Sequence, residues 1–155
     1  MFVYMEVPGI EGVGPVPRPD WISLEQCTFG FERQETSTKK ADEAAETTVR
    51  AVAKPLSISR AADRATPALA AWMALGDPRE ISIEFCLKPE ISLVEFTVKG
   101  ARLRSYSARF ESYQNTTCVM ERLSIEYEDI DLTYWQQSEL NEDKEASSFE
   151  LNHGE

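Results

Sequence analysis

Several stretches of the chain alternate apolar and polar side chains with a period of two. The clearest sets of alternating apolar positions are Ile81, Ile83, Phe85 and Leu87, then Phe96 and Val98, then Leu123, Ile125 and Tyr127. A period of two with one polar face is typical of antiparallel strands that pack one face in a core and leave the other in water. The pattern therefore predicts a mainly β fold.

One segment, residues 66–76, has the character of a helix instead. Its large apolar residues fall mostly at helical spacing and are Leu69, Trp72, Met73 and Leu75. We expect Thr66 to cap the N-terminus, Pro67 to fit the first turn and Gly76 to end the helix in a left-handed conformation. The sequence thus predicts one short helix that lies flat on the strands, with Trp72 as its largest anchor.

The strand alternation changes phase in two places. Apolar residues occupy even positions up to Leu24 and odd positions from Cys27 onward, and a second change follows Tyr127. An extra residue in one strand shifts the alternation by one position. We interpret the two changes as β-bulges near Gln26 and Glu128.

Two segments lack the alternation. Residues 33–52 carry charges of both signs and few large apolar residues, which predicts a long loop or an extended arm, or equally a solvated flexible hairpin. Residues 136–155 are acidic and poor in large apolar residues, so they are predicted to form a mobile tail. The folded domain is therefore expected to span residues 1–135.

Composition agrees with a single soluble domain, since the chain has 155 residues of which 42% are hydrophobic. We find no apolar run that could cross a bilayer and no positively charged leader, so we expect synthesis in the cytoplasm and no membrane insertion. The formal net charge of −11 disfavours nucleic acid as a partner, because phosphate binding depends on clustered Lys and Arg.

The chain shows few residues with catalytic or ligand-binding chemistry. Three cysteines are far apart in sequence and odd in number, which indicates neither a metal knuckle nor a disulfide framework. The only histidine, His153, lies in the predicted tail, and the glycines are scattered rather than gathered in a nucleotide-binding loop. We therefore expect no catalytic residue, no cofactor and no metal site.

Four segments with characteristic residue sequences follow one another along the chain. They are residues 2–12, a strand that runs into a Gly-containing turn; residues 21–30; residues 54–63, Lys-Pro-Leu-Ser-Ile-Ser-Arg-Ala-Ala-Asp, followed by the Thr-Pro helix; and residues 121–134. In this order they resemble the Hcp family, the tube protein of bacterial type VI secretion. The third segment is the most specific match, and Cys27 stands where the family usually has an aromatic residue.

The resemblance implies an antiparallel two-sheet β-barrel with one short flanking α-helix. It also implies assembly into a homo-hexameric ring whose stacked copies form a hollow tube. Members of the family are expelled by a contracting sheath and carry effectors in the lumen or beneath a spike trimer. The expected partners are therefore further copies of the chain, spike, sheath and effectors, and the expected fate is secretion from the cytoplasm.

The same resemblance implies which residues meet partners. Gln26 and Thr28 are expected to face the lumen and contact effectors, while strand alternation directs Phe29 to the core. The residues expected in ring-stacking contacts are Lys39, Lys40, Asp42, Glu43 and Glu46.

A ring built from head-to-tail contacts needs two different complementary surfaces on each subunit. The residues expected at the subunit interface or in helix packing are Leu69, Trp72, Met73, Arg102 and Arg104. Together with Arg109, the two arginines form a local basic set, which we expect to face acidic strand surfaces and to set orientation more than affinity.

A second class of function stays open, namely a monomeric β-barrel enzyme or ligand-binding module that uses a carboxylate pair. The acidic residues in question are Glu126, Glu128, Asp129 and Asp131. A carboxylate pair supports glycosidase chemistry, whereas carboxylates on an alternating strand form its wet face. Oligomeric state separates the two classes, because only the tube protein requires a ring.

Overall fold

A computed structural model describes residues 2–38, 46–138 and 141–152, and over these residues the chain forms eleven strands and one helix. In chain order the elements are β1 (Phe2–Glu6), β2 (Ile22–Leu24), β3 (Gln26–Thr28), β4 (Phe31–Thr38), β5 (Glu46–Ala53), β6 (Leu56–Ala61), α1 (Thr66–Leu75), β7 (Arg79–Lys88), β8 (Ile91–Tyr113), β9 (Thr116–Glu126), β10 (Asp129–Ser138) and β11 (Asn141–Asn152). The predicted mainly β fold with one short helix is confirmed.

The longest strand, β8, belongs to two antiparallel sheets. Its first part lies between β7 and β10, where Phe96 is opposite Ile83 on one side and Leu132 on the other. Its later part, from Arg102 onward, pairs with β9, which in turn pairs with β6. The two-sheet architecture predicted for the chain is therefore confirmed, and β8 is the strand that the sheets share.

Gly100 lies where β8 leaves one sheet for the other. Its φ of 65° is in the left-handed region that favours glycine, which has no Cβ to clash. A Cβ at this position would lie 2.9 Å from the side chain of Glu128. The glycine thus permits both the change of direction in β8 and the close approach of the turn after β9.

Strands β2 and β3 are consecutive in sequence but pair in different sheets, β2 with β1 and β3 with β6. Between them the Glu25 N–H donates a hydrogen bond of 2.9 Å to the Ser59 carbonyl. The phase change near Gln26 is therefore a strand break at which the chain changes sheet, and the predicted bulge is wrong. The second phase change falls in the turn between Glu126 and Asp129, so that predicted bulge is wrong as well.

Helix α1 begins differently from the prediction. Its N-cap residue is Ala65, which makes no side-chain cap. The Thr66 hydroxyl instead accepts a hydrogen bond of 3.1 Å from the Asp63 N–H, and the Asp63 carboxylate accepts one of 2.8 Å from the Ala65 N–H. The predicted end is confirmed, because Gly76 has a φ of 69° and its N–H donates to the Trp72 carbonyl.

Strand β7 contributes to the core over most of its length. Ile81 and Ile83 are fully buried, as their alternation predicts. Beyond Phe85 the register shifts, so that Cys86 is buried and Leu87 is exposed. The irregularity reverses the faces of the strand, which is why the period-two prediction fails for its last residues.

Strands β4 and β5 form a separate two-stranded sheet, paired from Phe31 opposite Ala53 to Thr38 opposite Glu46. Of the interpretations left open for residues 33–52, the structure thus shows the hairpin. The Phe31 ring lies 5.6 Å from the ring of Phe149 in β11, measured between centroids. This contact holds the base of the hairpin, while the following residues of β4 are exposed.

The segment expected to be a mobile tail forms a paired strand. Strand β11 runs antiparallel to β10, with Leu132 opposite Phe149 and Ile130 opposite Leu151. Leu151 is partly buried against the core. The described residues of the segment after Trp135 therefore belong to the sheet through their pairing with β10.

Candidate functional site

Gln26 and Thr28 each begin a row of polar side chains that crosses the strands β3, β6, β9 and β8. Directly opposite residues of antiparallel strands project from the same face of a sheet. In strand order the first row is Gln26, Ser59, Arg122 and Ser107, and the second is Thr28, Ser57, Ser124 and Ser105. None of these side chains is buried. We call these eight residues the hydroxyl face.

Two cavities open on the hydroxyl face. The first, of about 250 Å³, is lined by Gln26, Thr28, Ser57, Ile58, Ser59 and Arg122. The second, of about 290 Å³, is lined by Ser59, Ser107, Arg109, Glu111, Met120 and Arg122. Because Ser59 and Arg122 line both, the cavities are neighbours and the Arg122 side chain lies between them.

One step along the strands from Ser59 and Arg122, the next opposed pair points into the interior. Arg60 is opposite Glu121, and both side chains are fully buried. The Arg60 Nη1 lies 2.5 Å from the Glu121 Oε2. A buried charge without a partner is strongly unfavourable, so this ion pair resists any other register of β6 and β9. The interior pair thus aligns the polar row on the outer face.

Two further side chains complete the buried network. The Arg60 guanidinium also forms an ion pair with the Asp63 carboxylate, and the Tyr106 hydroxyl donates a hydrogen bond of 2.6 Å to Glu121 Oε1. Burial, followed by the hydrogen bond to Glu121, raises the pKa of Tyr106 to about 12. Glu121 therefore has one donor for each of its carboxylate oxygens.

The helix residues expected in packing divide into two groups. Leu69 and Trp72 are fully buried, and the Trp72 indole N–H donates a hydrogen bond of 2.7 Å to the Asp77 carbonyl. Met73, by contrast, is 38% exposed and Leu75 is 74% exposed. The side chains that α1 buries within the chain are therefore Leu69 and Trp72, whereas Met73 is partly exposed.

Arg79 contributes to the same region, although no pattern in the sequence pointed to it. Its guanidinium carbon lies 5.4 Å from the centre of the Trp72 ring, a distance at which a cation is attracted to the ring face. Its Nε lies 2.8 Å from Asp77 Oδ2, and this hydrogen bond lowers the pKa of Asp77. Arg79 therefore joins the end of the helix to the start of β7.

The three arginines predicted as a basic set lie on β8 and are all exposed. Arg102 is opposite Glu126 on β9, and Arg109 forms an ion pair with Glu111 two residues further along. Arg104 lies at the register shift in β8. Two of the three thus have acidic neighbours within their own chain.

The acidic residues considered for catalysis are spread over two strands and a turn. Glu126 ends β9, Glu128 lies in the turn, and Asp129 and Asp131 belong to β10. None of the four is buried, and Asp131 lies 3.6 Å from the Lys99 ammonium group. They are surface charges rather than members of a common enclosed site.

The residues predicted for ring stacking follow β4 in the sequence. Lys39, Lys40, Asp42 and Glu43 lie outside the residues that the structure describes. Glu46 begins β5, with its backbone opposite Thr38.

Phe29 is not a buried core residue, contrary to the prediction. It follows the end of β3 and is 37% exposed, so strand alternation no longer determines its direction. One side of its ring nevertheless packs 4.4 Å from the buried Phe96 ring, measured between centroids. Phe29 therefore covers the edge of the core.

Four important residues were missed by the sequence analysis. Arg60 and Glu121 continue the buried phases of their strands, so the period of two itself marked them as interior. Arg122 carries no comparable signal, because its partners lie on strands distant in sequence. Phe110, which is 78% exposed on β8, was not distinguished from the other apolar residues of the alternating strands.

Neither a metal cluster nor a membrane span is found in the described part of the chain. Among these residues, no group of three or more His, Cys, Asp and Glu side chains is arranged to hold a metal ion. Within the same ranges, no helix has the length and apolar character that a membrane span requires.

Solved structures show the same fold. A type six secretion system protein matches with a TM-score of 0.78 at 14% identity, over 97% of this chain and 94% of that chain. Hcp1 from Salmonella typhimurium matches with a TM-score of 0.76 at 14% identity, over 98% of this chain and 94% of that one. A chain of the anti-feeding prophage baseplate matches with a TM-score of 0.57 at 11% identity, over 84% and 90%. The fold is thus the one found in type VI secretion tube proteins.

The family model described as type VI secretion system effector, Hcp, matches residues 4–134. No curated protein sequence is significantly similar to the chain. The chain belongs to the Hcp family and is a tube component of a type VI secretion system. The family consists of structural tube proteins that are secreted, not of enzymes.

Proposed function

We propose that the chain assembles into hexameric rings that stack into a hollow tube, and that this tube carries effectors in its lumen. The tube is made in the cytoplasm, surrounded by a contractile sheath and tipped by a spike trimer, and is expelled from the cell together with its cargo. Family membership and the similarity to a chain of a baseplate solved with 6-fold symmetrisation support this proposal.

The observation that carries the ring is the presence of two separate exposed apolar sites on one chain. Phe110 lies on β8 in phase with Tyr106, so it continues a core-facing surface beyond the core, where it is 78% exposed. Met73 and Leu75 are exposed on α1. A head-to-tail ring requires two different complementary surfaces on each subunit, and we assign Phe110 on β8 to one and the pair Met73 and Leu75 on α1 to the other.

Stacking of rings is assigned to the β4–β5 hairpin. Its base is held by the contact between Phe31 and Phe149, and the described parts of both strands carry exposed side chains, including the apolar Val49. The two strands pair as far as Thr38 opposite Glu46. We therefore assign the ring-to-ring contact to the set comprising Lys39, Lys40, Asp42, Glu43 and Glu46.

The lumen is assigned to the hydroxyl face, which contains Gln26 and Thr28. The side chains of this face are polar and none of them is buried, as expected of a surface that lines a water-filled channel. Arg102 and Arg104 precede the exposed Phe110 on β8 and are assigned to the rim of the subunit contact, where charges set orientation.

Size-exclusion chromatography with light scattering, followed by negative-stain microscopy, tests the ring. The unaltered chain is expected to have six times the mass of one subunit and to show rings. Phe110→Ser is expected to yield smaller species, because it removes an apolar anchor without touching the core. Leu87→Ser, which changes another exposed apolar residue, on β7, is the matched control and should still form rings. A stable monomer at tens of micromolar in ordinary salt would contradict the proposal.

A further inference from the structure

The hydroxyl face has an unusual chemical composition for this chain. Six of its eight residues carry hydroxyl groups, and the other two are Gln26 and Arg122. It contains no carboxylate, although 27 of the 155 residues are Asp or Glu. Hydroxyl and amide groups donate as well as accept hydrogen bonds, whereas the guanidinium only donates and carries the one charge of the face, which is positive. The face is therefore suited to a ligand rich in acceptors and negative charge.

Arg122 is the charge at the centre of this face. Arg109 is paired with Glu111, and Arg102 is opposite Glu126. Apart from the backbone pairing of β9, the Arg122 side chain makes no ion pair or hydrogen bond with any residue that the structure describes. Its exposed guanidinium between the two cavities is thus available to a ligand.

The position of Arg122 is determined from beneath. The buried ion pair of Arg60 and Glu121 holds β6 and β9 in the register that places Ser59 beside Arg122. A charged group in a defined place costs less entropy to engage than one on a mobile loop. The backbone of Arg122 and of its flanking serines is therefore held in a fixed arrangement on the outer face.

The dimensions of the face suit a short stretch of extended polypeptide. A row that crosses four strands spans about 14 Å, because neighbouring strands are about 4.8 Å apart. An extended chain advances about 3.3 Å per residue, so the row has the length of about four residues. The two adjoining cavities, of about 250 and 290 Å³, provide room for side chains on either side of Arg122.

We propose that the hydroxyl face binds an acidic segment of a carried protein, with a carboxylate of that segment on Arg122. The serine and threonine hydroxyls and the Gln26 amide donate hydrogen bonds to the remaining carboxylates and carbonyls of the segment. This inference deepens the proposed function and rests on it in one respect, namely that the face lines the lumen. It names the chemical class of cargo segment that the lumen receives.

The net charge of −11 does not prevent this recognition. At physiological ionic strength, charges separated by more than about 8 Å are largely screened in water. The charges close to the bound segment therefore decide its affinity. The hydroxyl face contributes one cation and no anion, and the second cavity adds Arg109 and Glu111, which are paired with each other. A charge-assisted hydrogen bond from a guanidinium to a carboxylate is also stronger than a neutral one.

Fluorescence anisotropy with the full chain tests the proposal. The probe is a short fluorescein-labelled oligoglutamate peptide, and an oligoglutamine peptide of the same length is its neutral counterpart. We expect the oligoglutamate to bind more tightly, and Arg122→Gln to weaken its binding roughly ten-fold, since charged pairs of this kind contribute on the order of 1.4 kcal/mol or more. Arg122→Lys, which keeps the charge, should retain most of the affinity. Thr28→Gln, which obstructs one cavity, should weaken binding while leaving rings intact.

Lys88→Gln is the matched control, because it removes an exposed positive charge at the end of β7 and should leave binding within about two-fold. Equal binding of the two peptides, or unchanged binding by Arg122→Gln, would overturn the inference. Light scattering on the same samples separates this result from the ring proposal. Rings without Arg122-dependent binding refute the acidic site alone, whereas a monomer that binds through Arg122 refutes the ring and leaves the site.

Discussion

Arg60 and Glu121 face each other across β6 and β9, fully buried, with 2.5 Å between Nη1 and Oε2. The adjacent pair, Ser59 and Arg122, faces outward. A slip of one residue between the strands would turn the Arg60 side chain to the outer face and put a serine in its place in the interior. The interior electrostatics and the outer polar row are thus consequences of a single register.

Breaking the buried pair on one side should be strongly destabilising. Arg60→Met or Glu121→Met is expected to lower the free energy of unfolding by about 3–5 kcal/mol, because the remaining charge stays buried without its main partner. Urea denaturation followed by tryptophan fluorescence measures this. The double variant should recover much of the loss, since it removes both charges. Single variants as stable as the unaltered chain would show that the pair is not buried in solution.

Alkaline pH should destabilise the fold through two tyrosines. Burial raises the pKa of Tyr106 and of Tyr127 from the ordinary value of 10.0 to about 12. The folded state keeps these protons longer than the unfolded state, so the stability linked to them is complete below about pH 10 and is lost as the pH rises toward about 12. Denaturation midpoints measured across this range should therefore fall.

The two tyrosines should differ at neutral pH. Tyr106→Phe removes a hydrogen bond to the buried Glu121 and is expected to cost about 1–3 kcal/mol. Tyr127→Phe is expected to be neutral or stabilising, because the Tyr127 hydroxyl is buried and has no hydrogen-bond partner among the described residues. Chemical denaturation of both variants measures the change in the free energy of unfolding. Equal losses of this free energy in the two variants would contradict the assigned hydrogen bond.

The helix offers a comparison between neighbouring residues. Trp72→Ala is expected to lower the free energy of unfolding by about 3–5 kcal/mol, since it truncates a fully buried side chain. Met73→Ala should change it by less than about 1 kcal/mol, because Met73 is 38% exposed and is not among the buried residues of α1. Thermal denaturation distinguishes the two. A large loss in Met73→Ala within a monomeric sample would place Met73 in the core after all.

Phe29 and Phe96 provide a second comparison, between an edge and a centre of the same aromatic cluster. Phe96→Ala should cost about 3–5 kcal/mol, because Phe96 is almost fully buried. Phe29→Ala should cost about 1–2 kcal/mol, since its ring loses one aromatic contact and only part of its buried area. Equal losses in chemical denaturation would mean that Phe29 is as buried as strand alternation predicted.

Local patterns in the sequence determined the class of fold and the identity of much of the core. Alternation along single strands identified Ile81, Ile83, Leu123 and Ile125 as buried, and each of them is. Gly76, which adopts the left-handed conformation that ends a helix, identified the C-terminus of α1. These features depend on neighbours in sequence, because a period of two or a left-handed residue acts within one element.

The tertiary structure decided every feature that depends on strand pairing. The acidic segment after Trp135 became a strand because β10 offers it a partner, and the phase change near Gln26 became a change of sheet because β1 and β6 each pair with one half of that segment. Arg122 belongs to one row with Gln26 only through the register of β3, β6 and β9. Contacts between distant strands are set by packing and buried charge, and no local pattern along the chain encodes which residues they bring together.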